Sequence, residues 1–257
     1  MRKLNLRSSF RRAFLVALLT LVSSLSFAST LNLSDLHMSA NIQTNHLWRG
    51  GEVADGLVVT YDAAFKPFGK NLKVGVWGGI NGQGTYKEFN YFVTYKIKGF
   101  KAKLVDTYNF ADYATYNHDD FFDYKPSSTG RFLDASIEYR FPESFPIKIS
   151  WATVLFGRDR NSDNTHNRFS TFCYAEYPIY NKNSWRVDGG LGGAFALNPM
   201  GESANFYGDK AGIVQISLSF SHDLTINRYK LPVSITAMWN PQSRQAHLQL
   251  STQIFSF

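Results

Sequence analysis

The stretch that decides the fold is "EFNYFVTYKI", Glu88 to Ile97. One parity holds Phe89, Tyr91, Val93, Tyr95 and Ile97, and the other holds Glu88, Asn90, Thr94 and Lys96. An amphipathic helix repeats its apolar positions every 3.6 residues, whereas these repeat every two, as in a strand with one apolar and one polar face. The pattern recurs. "RFLDASIEYRF" sets Leu133, Ala135, Ile137, Tyr139 and Phe141 against Asp134, Ser136, Glu138 and Arg140. "IKISWATVL" sets Ile147, Ile149, Trp151, Thr153 and Leu155 against Lys148, Ser150 and Ala152. "IVQISLSFSH" opposes Val214, Ile216, Leu218 and Phe220 to four polar residues, and "LPVSITAMW" does the same with Leu231, Val233, Ile235, Ala237 and Trp239.

Such segments number twelve, at 37–48, 57–66, 71–80, 86–98, 100–110, 131–141, 146–156, 168–178, 184–197, 211–222, 229–240 and 244–256. Their lengths cluster near the ten or so residues with which a tilted strand crosses a bilayer, and their number is even. After residue 28 no apolar run approaches the roughly twenty residues of a spanning helix.

The first 28 residues have a different grammar. Arg2, Lys3, Arg7, Arg11 and Arg12 form a basic head, followed by the uncharged "AFLVALLTLVSSLSFA" that ends in Ser26-Phe27-Ala28. This is the pattern of a secretory signal cut after Ala28, so the expected organisation is 1–28 signal peptide and 29–257 barrel. Five of the seven units of net positive charge belong to that head, which leaves about +2 on the mature chain. A basic platform for nucleic acid is therefore not indicated. Cys173 is the single cysteine, so no intramolecular disulfide is possible.

Most of the eleven joins between segments alternate in length, with "PIYNKNS" intermediate and the last, "NPQS", short. "PFGKN", "KG", "PESFP" and "DLTINR" are short, while "GGEVADG", "ADYATYNHDDFFDYKPSSTG", "GRDRNSDNTHN" and "NPMGESANFYGDK" are long. An up-and-down outer-membrane barrel with both termini in the periplasm sorts its connections in this way; a soluble sandwich has no reason to. Alternation alone does not say which face is inside, because a lipid-embedded barrel inverts a soluble one. Three features favour the inversion: the export signal, the aromatics near strand ends (Trp48, Tyr95, Tyr139, Phe141, Trp151, Trp185, Trp239), and a polar face with charges of both signs. The expected lumen-facing residues are Glu88, Asn90, Asp134, Glu138, Arg140, Lys148, Arg186 and Asp188. Mixed signs by themselves give no preference for anions or cations, and twelve strands imply a narrow lumen governed by side-chain packing.

"LWRGG" closing the first strand, "WGG" closing the third and Glu88 opening the fourth resemble the TorF-like group of putative outer-membrane porins and related Bacteroidetes proteins. The motif residues are Trp48, Arg49, Gly50, Trp77 and Gly78. The resemblance implies a small barrel in the outer membrane of a Gram-negative bacterium and brings no established substrate. Phe257 resembles the terminal aromatic by which the barrel-assembly machinery recognises its clients. Its parity is out of step, since Leu248, Leu250, Thr252 and Ile254 lie on the other one. A bulge near Ile254–Phe255 would reconcile them.

Other chemistry has weaker grounds. Six histidines (37, 46, 118, 166, 222 and 247) lie in no nucleophile motif, so no catalytic residues are expected. Asp119, Asp120 and Asp123 beside His118 lack the spacing and glycine of a calcium loop; that loop is expected to be a solvated surface or to fold back and narrow the mouth, and no metal is assigned. The glycines of "DGGLGGAF" lie within a strand and suit close packing of a neighbouring aromatic. The sequence therefore reads as an all-β, twelve-stranded transmembrane barrel acting as a passive pore, without cofactor. Its partners would be outer-membrane lipid, the assembly machinery and small polar solutes; the oligomeric state is not specified. A lumen-filled structural or adhesive barrel and an outer-membrane lipid hydrolase are the alternatives.

Overall fold

The computed structural model describes residues 33–67, 69–227 and 229–257, so the expected signal peptide lies outside the described residues. A 3-10 turn, Leu33–Asp35, leads into fourteen strands. They are β1 (Leu36–Gln43), β2 (His46–Trp48), β3 (Gly51–Ala54), β4 (Val58–Phe65), β5 (Leu72–Asn81), β6 (Lys87–Ile97) and β7 (Phe100–Asn109). β8 (Phe132–Arg140), β9 (Lys148–Gly157), β10 (Ser170–Lys182), β11 (Trp185–Ala196), β12 (Gly212–Ile226), β13 (Tyr229–Asn240) and β14 (Gln245–Ser256) complete the chain. Twelve of these, β1 and β4 to β14, close into an antiparallel barrel in which each strand pairs with its neighbour in the chain and β14 returns to β1. Closure leaves no unpaired edge, as a strand structure surrounded by hydrocarbon requires.

The apolar parity points outward. Tyr91, Ile137, Ile149 and Leu218 are 43%, 51%, 44% and 37% exposed, while Asn90, Asp134 and Ser217 on the opposite parity are buried in the lumen. Near the end of the barrel where Leu36 and Phe257 lie, outer-face aromatics form a chain of contacts: Tyr139 to Phe141 at 4.9 Å and Phe141 to Phe145 at 6.4 Å, both T-shaped, and Phe145 to Tyr177 at 6.4 Å, tilted. Trp185 stacks on His222 at 4.1 Å in the same belt. Such a girdle is where amphipathic rings gain most at a lipid–water boundary.

The turns on this side are tight. Asn183 and Ser184, both at positive φ, join β10 to β11, and Lys98-Gly99 joins β6 to β7. Left-handed residues match the twist of the flanking strands in two-residue hairpins. The opposite side carries the long loops 110–131, 158–169 and 197–211.

Three differences from the sequence reading have local causes. The first strand does not run to residue 48: it stops at Gln43, and Trp48, Arg49 and Gly50 belong to the separate β2–β3 hairpin. Trp48 is therefore not a girdle residue. The eighth segment runs to Lys182 instead of ending at 178, because the register skips Ile179 and pairing with β11 then resumes. Val214, expected on the apolar outer face, is wholly buried inside, because the β11–β12 register skips it between Gln215 and Ile213. One extra residue reverses the facing of its neighbours. The bulge expected near the C-terminus lies at Ile254: Gln253 faces Asn41, Phe255 faces Ala40, and Ile254 is skipped. Phe255 and Phe257 thereby both reach the outer face, and Phe257 exchanges backbone hydrogen bonds with Met38 at 2.8 and 3.1 Å.

Candidate functional site in the lumen

The β2–β3 hairpin is turned into the barrel. Its two-residue turn, Arg49-Gly50, has φ of 44° and 88°. Gly50 lies against β12, where a Cβ would overlap the Val214 carbonyl oxygen, and its own carbonyl accepts a hydrogen bond from Asn240 Nδ2 at 2.9 Å. Glycine is required here on both counts, a left-handed φ and a close backbone approach. Arg49 is left-handed without being glycine, a conformation that surrounding contacts must hold.

Those contacts come from across the lumen. Arg49 donates to both carboxylate oxygens of Asp134 on β8, at 2.6 and 2.7 Å, and to the Tyr207 hydroxyl at 2.6 Å. Its guanidinium lies 4.7 Å from the Trp48 ring. Trp48 packs on Phe132, Phe206 and Tyr207, so the hairpin tip is seated in an aromatic nest formed by β8 and the 197–211 loop. On the other side His46 lies 5.6 Å from Trp77 and 5.8 Å from Tyr86, Gln249 Nε2 donates to the Asn45 carbonyl, and Glu52 faces His247 and accepts from Asn45. The hairpin thus reaches from β5 through β8 to β14 across the end of the lumen next to the long loops.

Below it, towards the end that carries Leu36 and Phe257, the wall divides in two. From β4 to β11 it is charged and paired: Lys73 with Asp62 at 3.0 Å, Lys101 with Glu138 at 3.0 Å, Lys148 with Glu176 at 2.8 Å, and Arg186 with Asp188 at 2.6 Å. Arg140 and Arg186 also approach Glu176, at 3.6 and 3.8 Å. From β12 to β14 it is hydroxyl-rich, with Ser219 bonded to Thr236 at 2.9 Å and Ser234 to Ser251 at 2.7 Å, and its charges, Asp223 and Lys230, are confined to the lower rim.

The eight polar residues singled out from the sequence all lie on the lumen-facing parity. Glu88 accepts from Asn90 Nδ2 at 2.7 Å, and Asp134 is taken up by the hairpin. Of the motif residues, Trp48, Arg49 and Gly50 form the hairpin tip, Trp77 faces inward beneath it, and Gly78 faces outward under the Tyr61 ring. Phe257 is remote from the lumen. The glycines of β11 accept aromatics: a Cβ at Gly190 would overlap the Tyr174 hydroxyl, and one at Gly192 the Phe172 ring.

The long 110–131 loop reaches the mouth with Tyr116, whose ring stacks at 3.7 Å on the guanidinium of Arg158, and leaves Tyr113 and Phe122 exposed. It folds down the outer wall, where Phe121 meets Tyr108 at 5.1 Å and Tyr91 at 6.3 Å. Asp106, opposite Tyr91 and Leu133 on the outer face, is held there by Arg131 at 2.9 Å. Asp123 accepts from Asn117 and Lys125, and among the described residues no three potential ligands converge on a metal position. Histidine ring nitrogens meet Gln43, Thr165, backbone carbonyls of Tyr116 and Ser184, and the carboxylates of Asp62, Asp119 and Glu52.

Sequence reasoning missed Tyr207, Lys103 and Arg158 as lumen residues. Arg158 stacks at 3.7 Å on Tyr116, and Lys103 lies 4.9 Å from the Phe92 ring. The signal for Lys103 was the alternation in "KAKLV"; the loop-borne residues left none.

No protein-family model and no curated protein sequence matches the chain. Among solved structures it is similar to a chain from work on the in-meso crystallization of membrane proteins, with 10% identity and a TM-score of 0.45 over 86% of this chain and 83% of that one. It is also similar to the COG4313 outer membrane channel from Pseudomonas putida F1, at 9% identity and TM-score 0.42 over 88% and 95% of the two chains. OccAB3 of Acinetobacter baumannii shares 12% identity at TM-score 0.35, over 87% of this chain and 65% of that chain. The architecture itself is a closed, all-β, twelve-stranded antiparallel barrel.

Proposed function

We propose that this protein is a porin-like channel of the Gram-negative outer membrane, akin to the TorF-like group, that passes small polar solutes through a narrow lumen. In this reading the protein is exported by its N-terminal signal and inserted by the barrel-assembly machinery, with Phe257 as the candidate recognition residue. The observation that carries the reading is the inversion of the wall: large apolar side chains cover the outside, while charged and hydroxyl side chains line an enclosed interior. A water-soluble barrel would place them the other way round. Solutes would meet the β2–β3 hairpin first and the charged wall second, so the hairpin is the constriction.

A second reading, a lumen-filled structural barrel, is favoured by the seating of that hairpin across the interior. Single-channel conductance in planar bilayers decides between them, using the wild type and a variant in which residues 45–54 are replaced by a short Gly/Ser turn. Conductance steps from the wild type support the channel, whereas a sealed wild type beside a conducting variant supports the lumen-filled reading. Bilayers that stay sealed with both, although the protein is folded and inserted, leave only the structural reading.

A further inference from the structure

The charges of the lower lumen do not cancel. Each carboxylate there, Asp62, Glu138, Glu176 and Asp188, already has a cation within 4 Å. Against these four stand six cations: Lys73, Lys101, Lys103, Arg140, Lys148 and Arg186. The excess is two: Arg140 only shares Glu176 with Lys148 and Arg186, and Lys103 has no partner, since among the described residues it makes no ion pair or hydrogen bond and its ammonium rests 4.9 Å from the buried Phe92 ring. Lys73 reaches the same ring from the other side, at 5.7 Å. The register sets both on one rung, Lys73 opposite Thr94 and Thr94 opposite Lys103. Two strand spacings separate them, about 10 Å, which is within or near one Debye length at physiological salt. On the facing wall the one carboxylate, Asp223, lies near the lower end of β12 with Lys230 of β13 beside it.

Resting on the channel reading above, we infer that the lumen selects small anions over cations, and that Lys103 is the specificity-determining residue. An anion crossing this rung meets a cation with no carboxylate in ion-pair contact, with Thr94 between the two lysines as a hydrogen-bond donor. A cation meets the same field as a barrier. Low-dielectric walls concentrate field lines in a narrow pore, so a single unpaired charge is enough to bias permeation. Lys96, Asp223 and Lys230 follow at the rim, and they do not reverse the excess.

The test is the reversal potential of the full-length protein in planar bilayers under a potassium chloride gradient. Wild type is compared with Lys103→Gln, Lys103→Glu and, on the hydroxyl-rich wall, Ser219→Ala, and the hairpin-replaced protein serves as the parent if wild type conducts too little. The expected result is a chloride-to-potassium permeability ratio of about 3 or more, falling towards unity in Lys103→Gln and below it in Lys103→Glu, as for other charge rings in pores. Ser219→Ala keeps the parental ratio. Conductance without anion preference overturns the inference while leaving the channel intact, and so does a reversal potential that Lys103→Glu does not move in a protein shown to be folded by its heat-modifiable migration. Sealed bilayers from the wild type remove the channel reading itself, and the inference with it.

Discussion

Arg49 and Asp134, 85 residues apart in the chain, are joined across the lumen by two parallel hydrogen bonds of 2.6 and 2.7 Å. A bidentate guanidinium–carboxylate pair fixes direction as well as distance, and here it fixes the tip of an inward hairpin. The pair is largely removed from water, so its two members are far more costly apart than together.

Replacing Arg49 by methionine keeps volume at the aromatic nest but leaves the Asp134 carboxylate buried without a counter-charge. Breaking such a pair costs about 3–5 kcal/mol, which shifts the ratio of released to seated hairpin by roughly a hundredfold or more. The expected outcome is a larger and noisier single-channel conductance for Arg49→Met, with Asp134→Asn partly restoring the quiet state in the double variant. Equal conductance in wild type and Arg49→Met would show that the hairpin does not limit the pore.

Gly50 and Gly51 offer a sharper control, because they are adjacent and differ in their surroundings. A Cβ at Gly50 would overlap the Val214 carbonyl oxygen in a backbone with φ of 88°, whereas at Gly51 the nearest atom is the Trp48 carbonyl oxygen at 3.7 Å. Gly50→Ala should therefore unseat the hairpin, at about 1–3 kcal/mol for the strained backbone alone, and reproduce the Arg49→Met conductance without changing any charge. Gly51→Ala should behave as wild type.

The bulge at Ile254 makes a prediction that runs against intuition about deletions. Removing Ile254 leaves Gln253 facing inward and Phe255 and Phe257 facing outward, with the alternation now regular. Removing Ser256 instead turns the Phe257 ring into the lumen. The heat-modifiable fraction on electrophoresis should stay near wild type for the first deletion and fall for the second, because a single-residue slip exchanges the faces of whatever follows it.

These variants also mark where the sequence was legible. Facing was legible: the parity of Asp134, Glu138, Lys148 and Arg186 follows from a period of two, and the mismatch between Ile254 and Phe257 reveals a bulge because an expected pattern fails. Val214 carried no such mismatch, since an apolar residue is compatible with either face until its neighbours across the register are known. The hairpin was misread because "NHLWRGG" is as apolar and aromatic as a strand end, although its paired glycines mark a turn. Charge pairing was beyond reach for a different reason. Which lysine meets which carboxylate depends on registers between strands far apart in the chain, so the unpaired state of Lys103 exists only in three dimensions.

The long loops are stitched by Glu202, which accepts from the Ser162 hydroxyl at 2.5 Å and backbone N–H at 2.7 Å and from Arg168 at 2.7 and 3.0 Å. These donors, the Ser162 hydroxyl foremost, draw its carboxyl down from 4.5 to about 2. A depressed folded-state value means that the stabilisation is complete above the ordinary glutamate range and disappears as pH falls through about 2. The protection of amides in the 158–169 and 197–211 loops, measured as exchange relative to the intrinsic rate at the same pH, should therefore be high at neutral pH and fall between pH 4.5 and 2, and Glu202→Gln should show the lower protection already at neutral pH. Loops whose exchange is the same in both proteins at neutral pH would show that the contact contributes nothing.

Asp106 presents the opposite problem, a carboxylate on the outer wall of a barrel whose outside is apolar. Its neighbours across the sheet, Tyr91 and Leu133, both face outward. The chain resolves this by folding the 110–131 loop down over it: Arg131 donates at 2.9 and 3.0 Å, Tyr124 donates its hydroxyl at 2.7 Å, and Phe121 caps the guanidinium at 4.6 Å. Arg131 is itself almost wholly buried and donates to the Phe121 carbonyl, so the ion pair holds the loop to the wall. Arg131→Met should cost about 3–5 kcal/mol, the penalty for orphaning a buried partner, and should lower the urea midpoint of the folded barrel in lipid. Asp106→Asn combined with Arg131→Met should recover much of that loss, because the neutral amide needs no counter-charge. A double-mutant cycle therefore returns a large coupling energy if the loop is clamped by this pair. It returns a value near zero if the aromatic contacts of Phe121 hold the loop unaided.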